Sequence, residues 1–107
     1  MKPEKALQNR IMLDCGIHDV LAFHINPGKI RLPDGTWFDT GVPNGWPDIT
    51  IFPGDSKVLF VEVKIKPNKP SSNQLKIISL LRSKGNIVAV IYTWEQWVDF
   101  SMMYIYI

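Results

Sequence analysis

The chain has 107 residues, 46% hydrophobic and 21% charged, with a formal net charge of +2. That length and composition suit one globular domain over residues 1–107, with a single core burying about 60–70% of the unfolded surface, and the charge is too small to argue for a nucleic-acid partner by itself. The single cysteine, Cys15, excludes an internal disulfide, no apolar stretch is long enough to span a bilayer, and Met1–Lys5 lacks the apolar run of a signal peptide, so a cytoplasmic protein with no membrane partner is expected.

Residues 3–15 predict a first helix, with Pro3 in its first turn, Leu7, Ile11 and Cys15 recurring at i+4, and Gly16 as its stop. Glu4 lies at the N-terminal end of that apolar stripe, where it either complements the helix dipole or faces a site. Residues 18–25 predict a strand, and Asn26-Pro27-Gly28 a turn. Residues 29–41 read as a strand pair or an excursion bending at Pro33-Asp34-Gly35, with Trp37-Phe38 pairing across the bend. Residues 41–47 are loop. Asp48–Phe52 and Lys57–Ile65 then read as two strands joined by a turn at Pro53-Gly54-Asp55-Ser56.

Ser71-x-x-Gln74 is a capping box opening a second helix that ends at Ser83, before Lys84-Gly85. Its buried face is expected to hold Leu75, Ile77, Ile78 and Leu81, with Gln74 looking toward the sheet. Asn86–Tyr92 is a nearly continuous apolar run, as in a strand covered on both faces. Thr93-x-x-Gln96 opens a short helix, and the apolar tail Met102–Ile107 is expected to be buried in the core or in a partner. Helix two followed by an apolar strand implies a right-handed crossover, hence an α/β fold around a mixed sheet flanked by helices.

The chemistry concentrates in Pro47-Asp48, followed fourteen positions on by Glu62 and then Lys64. Alternation along a strand puts Glu62 and Lys64 on one face, about 6–7 Å apart. Antiparallel pairing brings Asp48 beside them. Two carboxylates supply hard anionic oxygens for Mg²⁺ or Mn²⁺, and the Val63 carbonyl offers a third ligand. Such an ion polarises a scissile phosphate and activates water, while Lys64 orients the attacking water or stabilises phosphoryl charge.

These residues, together with Glu4 and Leu7-Gln8-Asn9, the N-G-W-P-D run ending at Asp48, Val58–Lys64, Ser71-x-x-Gln74, and Gly85 followed by Ile87–Val90, make the chain resemble a stand-alone, phage-type VRR-NUC domain of the PD-(D/E)xK nuclease superfamily. The resemblance implies a restriction-endonuclease-like αβββαβ core, Mg²⁺ or Mn²⁺ dependence, hydrolysis of DNA phosphodiester bonds, a homodimer, and a bacterial or phage-infected host cytoplasm. It casts Asp48 and Glu62 as metal ligands, Lys64 as catalytic, Gln74 as a support and Glu4 as an accessory acid reaching the metal.

Lys66 and Lys69, Lys5, and Lys29 and Arg31 read as a phosphate-binding rim if they converge on the acids, and as solvated scatter if they do not. His18 and His24 lack zinc-site companions and read as ordinary strand residues. Trp94 and Trp97 read as packing, and Trp46 as wall packing rather than a base-stacking ring at the mouth of the site. No glycine-rich loop has P-loop spacing, so no nucleotide cofactor is expected. Two other readings remain open: a junction-binding module that cleaves poorly without a partner, and an assembly protein in which the motif is accidental.

Overall fold

The computed structural model describes residues 2–106. A first helix, α1 (Pro3–Ile17), turns its stripe of Leu7, Gln8, Ile11 and Cys15 inward. It runs through Gly16 rather than stopping there, and closes where the His18 N–H donates to the Asp14 carbonyl. Asp19 then takes a left-handed conformation (φ 58°). That kink is why the first strand, β1 (Leu21–His24), is shorter than the expected 18–25. The excursion is a hairpin of β2 (Lys29–Arg31) and β3 (Trp37–Asp39), with Arg31 opposite Trp37 and Ile30 opposite Phe38. It forms a two-stranded sheet of its own.

The main sheet is completed by β4 (Ile49–Gly54), β5 (Lys57–Val63) and β6 (Ile87–Ile91), in the order β1-β4-β5-β6. The connection between β4 and β5 is tighter than the expected four-residue turn. Asp55 and Ser56 both sit at positive φ (54° and 62°), the primed-turn geometry that matches the right-handed twist of paired strands. β4 therefore continues through Pro53, at the cost of a register shift between Ile51 and Gly54. α2 (Ser72–Ser83) carries the chain over one face, and β6 runs parallel to β5.

Alternation along the strands gives the sheet two covered faces. Ile49, Ile51, Leu59, Val61 and Val63 pack against α1 and against Trp97 and Phe100 of α3 (Trp94–Tyr104). Phe60 and Val88 pack under Ile78 and Leu81 of α2. Each fully buried aliphatic side chain contributes about 1.5–3 kcal/mol. Leu75 departs from expectation and is 54% exposed. It lies about 100° around α2 from Gln74, and Gln74 takes the sheet-facing position. The apolar tail departs in part: Met102–Tyr104 form the last turn of α3, with Met102 and Met103 exposed, while Tyr104 and Ile105 pack on the core as expected. Ile107 lies outside the described residues. Among those described, no helix is long and apolar enough to cross a membrane.

Candidate active site

Asp48, Glu62, Lys64 and Gln74 meet at one corner of the sheet, under the N-terminus of α2. Val61 and Val63 face α1 and α3, so Glu62 between them faces α2, the same side as Phe60. Lys64 follows directly after β5 and extends that face. Ile49 pairs with Val61, which brings Asp48 level with Glu62. Asp48 is fixed from both sides: its carbonyl accepts from Ile25 N–H (2.8 Å), and its Oδ2 accepts from Val63 N–H (2.8 Å).

Gln74 links the helix cap to the acid. Its Oε1 accepts from the Ser71 N–H (2.8 Å), while the Ser71 hydroxyl accepts from the Gln74 N–H (3.2 Å), completing the capping box. Its Nε2 donates to Glu62 Oε2 (3.3 Å). One side chain thus holds the helix start and the acid in fixed relation. The preceding loop packs tightly against the same helix start. A Cβ on Gly45, whose φ is +90°, would lie 2.7 Å from the Asn73 carbonyl carbon and oxygen and 2.9 Å from the Gln74 nitrogen. Only glycine allows that approach.

Glu62 is the electrostatic centre of the corner. It is 1% exposed. Lys64 Nζ lies 3.9 Å from its Oε2, and its Oε1 is buried with no hydrogen-bond partner. Burial first, then the Asp48 carboxylate beside it, push Glu62 up to about 9; Glu4 adds to the push and Lys64 opposes it. Two ionised carboxylates here have no donor to offer each other. An orphaned oxygen beside a second acid is a deficit of positive charge that a hard dication with oxygen ligands fits. Among the described residues no group of three or more His, Cys, Asp or Glu side chains comes together as a cage, so the side-chain share of such a shell is the Asp48–Glu62 pair.

Two residues also border the site, His24, which the sequence reads as an ordinary strand residue, and Gln8, which the sequence gives no role of its own. His24 ends β1 opposite Ile49, and its Nε2 lies 2.8 Å from Gln8 Oε1 and 3.4 Å from Lys5 Nζ. Desolvation, then the Lys5 charge, pull His24 below its ordinary pKa, and the Asp48 charge acts in the other direction. Gln8 is 6% exposed. Its position one turn after Glu4, on the buried stripe, was a usable signal; His24 becomes visible only once β1 is paired with β4.

The basic residues divide. Lys2, Lys5 and Lys66 line a cleft of about 500 Å³ together with Glu4 and Gln8. Lys69 is exposed on the loop before α2. Lys29 and Arg31 stand apart on the β2–β3 hairpin. Trp46 packs edge-on against Phe60 (5.7 Å between ring centroids), as wall packing. Trp97 is fully buried, and Trp94 packs against the core with the Arg10 guanidinium 3.8 Å over its ring.

Comparison with known proteins agrees with this geometry. No curated protein matches the chain. A solved structure described as a VRR_NUC domain superposes with a TM-score of 0.72 at 21% identity, covering 97% of this chain and 98% of that one, which establishes the fold. A family model for the VRR-NUC domain matches residues 29–94, from the hairpin through the acid corner to the start of α3. The chain therefore belongs to the VRR-NUC domain family, nucleases of the PD-(D/E)xK superfamily.

Proposed function

We propose that this chain, acting as one domain, is a Mg²⁺- or Mn²⁺-dependent DNA endonuclease that hydrolyses phosphodiester bonds, favours branched or junction DNA, and works as a homodimer in the cytoplasm. The observation that carries the reading is the buried Glu62 carboxylate, its Oε1 unpartnered, beside Asp48. Asp48 and Glu62 hold the ion, with the Val63 carbonyl as a further oxygen and Glu4 acting through water. When bound, the ion neutralises the acid pair and acts as a Lewis acid toward a phosphoryl oxygen.

The chain's own residues supply the remainder. Asp48 is held by the Val63 N–H, so its free lone pairs are aimed before substrate arrives. Gln74 fixes the rotamer of Glu62 from the helix cap. Lys64, its side chain 14% exposed, reaches the same patch and orients the attacking water or stabilises charge on the phosphoryl oxygens. Lys5 and Lys66 in the cleft hold flanking phosphates, with Lys69 on the adjoining loop and Lys29 and Arg31 on the hairpin as outlying contacts.

The test is cleavage of a labelled panel of four-way junction, flap, nicked, supercoiled and linear DNA with Mg²⁺, Mn²⁺, Ca²⁺ or EDTA, with Asp48→Ala and Lys64→Ala in parallel. Cutting that requires Mg²⁺ or Mn²⁺ and vanishes in both variants supports the reading. Metal-independent binding without cutting replaces it with a junction-binding module. Neither binding nor cutting removes DNA from the proposal.

A further inference from the structure

The β2–β3 hairpin is an arm with two unlike faces. Residues 31–39 are all exposed. The register puts Lys29, Arg31, Trp37 and Asp39 on one face and Ile30 and Phe38 on the other. Trp37 is 63% exposed, with the Arg31 guanidinium 5.9 Å over its ring. That contact orients the indole while leaving ring surface open to solvent.

The arm is hydrogen-bonded at its tip and at its base. At its tip, Asp34 Oδ1 accepts from the Thr36 N–H (2.9 Å) and hydroxyl (2.6 Å), and Leu32 N–H donates to the Thr36 carbonyl (2.8 Å). At its base, Gly28 N–H donates to Val42 (2.6 Å), while the Gly28 carbonyl accepts from both the N–H (3.0 Å) and the hydroxyl (2.7 Å) of Thr40. The Asn44 side chain fills the space a Gly28 Cβ would occupy. The same loop continues through Gly45, packed on α2, to Asp48. A cleft of about 550 Å³ lies at the base, lined by Gly28, Lys29, Asp39, Val42, Pro43 and Asn44.

We propose that this arm is a stacking platform for an unpaired nucleobase at the branch point of the DNA substrate: the base stacks on Trp37, and Lys29 and Arg31 neutralise the adjoining phosphates. An exposed indole on a face that carries two cations, Lys29 and Arg31, against one acid, Asp39, suits a strand that is both aromatic and polyanionic. A plain duplex offers no free base face, so the arm selects structure rather than sequence. This inference rests on the nuclease reading and adds the device by which branched DNA is recognised.

The test uses a forked DNA carrying 2-aminopurine at the first unpaired position and a linear duplex of equal length, both with Ca²⁺ and the full chain. Trp37→Ala is expected to weaken fork binding by roughly tenfold, to abolish the quenching of 2-aminopurine, and to leave duplex binding within about twofold. Trp37→Phe retains most of both signals, and Phe38→Ala on the opposite face leaves them unchanged. Equal losses on fork and duplex, or no loss on either, overturn the proposal while leaving Mg²⁺-dependent cleavage by the wild type intact. A fall in molecular mass by light scattering for Trp37→Ala assigns the arm to a contact between copies instead and overturns it as well. A wild type that neither binds nor cuts any DNA defeats both readings.

Discussion

Two acids near opposite ends of α1 show what separates a structural carboxylate from a chemical one. Asp14, toward the C-terminal end, accepts from Trp97 Nε1 (2.9 Å) and the Tyr106 hydroxyl (3.3 Å) on Oδ2, and its Oδ1 lies 3.4 Å from His18 Nδ1. Its neighbours are donors, and through them it ties α1 to α3 and the segment after it. Glu62, beyond the N-terminal end, is more deeply buried, has one amide donor and one lysine, and faces another acid. The first arrangement is complete as folded. The second keeps a proton on Glu62 where a cation could take its place, which is how a candidate binding corner differs from a brace.

The largest effects expected from breaking this contrast are on chemistry. Asp48→Ala, Glu62→Gln and Lys64→Ala each lower the cleavage rate by on the order of 10²–10³-fold or more, measured at saturating metal on the preferred substrate. Asp14→Asn leaves the cleavage rate within about twofold at temperatures well below its melting point.

Stability runs the opposite way. Glu62 holds its proton far more tightly folded, at about 9, than its ordinary value of 4.5. Below pH 4.5 the carboxyl is protonated in both states, and the folded state's advantage is fully present. As pH rises toward 9 the unfolded chain releases the proton freely while the folded chain is held back, so the metal-free protein loses stability on the order of a few kcal/mol across that window. Urea titrations between pH 5 and 9 measure this fall. Glu62→Gln flattens the curve and makes the metal-free protein more stable than wild type at pH 8. Asp14→Asn instead costs about 1–3 kcal/mol, because the indole and phenol lose their strong acceptor.

A smaller effect is expected at the loop packed against the start of α2. Gly45→Ala forces a Cβ against the Asn73 carbonyl at a left-handed position, costing about 1–3 kcal/mol. The displaced helix start carries Gln74 away from Glu62, so cleavage falls by about tenfold and is partly recovered at raised metal concentration. Smallest is Gln74→Ala, which removes half of the capping box and about 1 kcal/mol, with a severalfold loss of rate.

Much of this was legible in the sequence where a local rule and the tertiary structure agree. The capping box at Ser71 and Gln74, the parallel crossover into Ile87–Ile91, and the hairpin that brings Asp48 to Glu62 each follow from a short pattern with a physical cause. Lengths and exposures were less legible. Asp19 at positive φ shortened β1, and Asp55-Ser56 at positive φ tightened the turn, both from residues whose patterns also permit other conformations. Leu75 and the methionines of α3 look apolar but face outward, since hydropathy does not say which side of a helix meets the sheet. His24 and Gly45 border the corner only through strand pairing and loop packing, which no local spacing reveals.

The most direct test of the claim that Asp48 and Glu62 form a cation-binding corner is the melting temperature of the wild type and Glu62→Gln at pH 8, with and without millimolar Mg²⁺, Mn²⁺ or Ca²⁺. The predicted result is a rise of several degrees in the wild type, as for any ligand that binds only the folded state, and little or none in Glu62→Gln, which starts higher without metal. A wild type indifferent to all three ions, or an equal rise in both proteins, contradicts it.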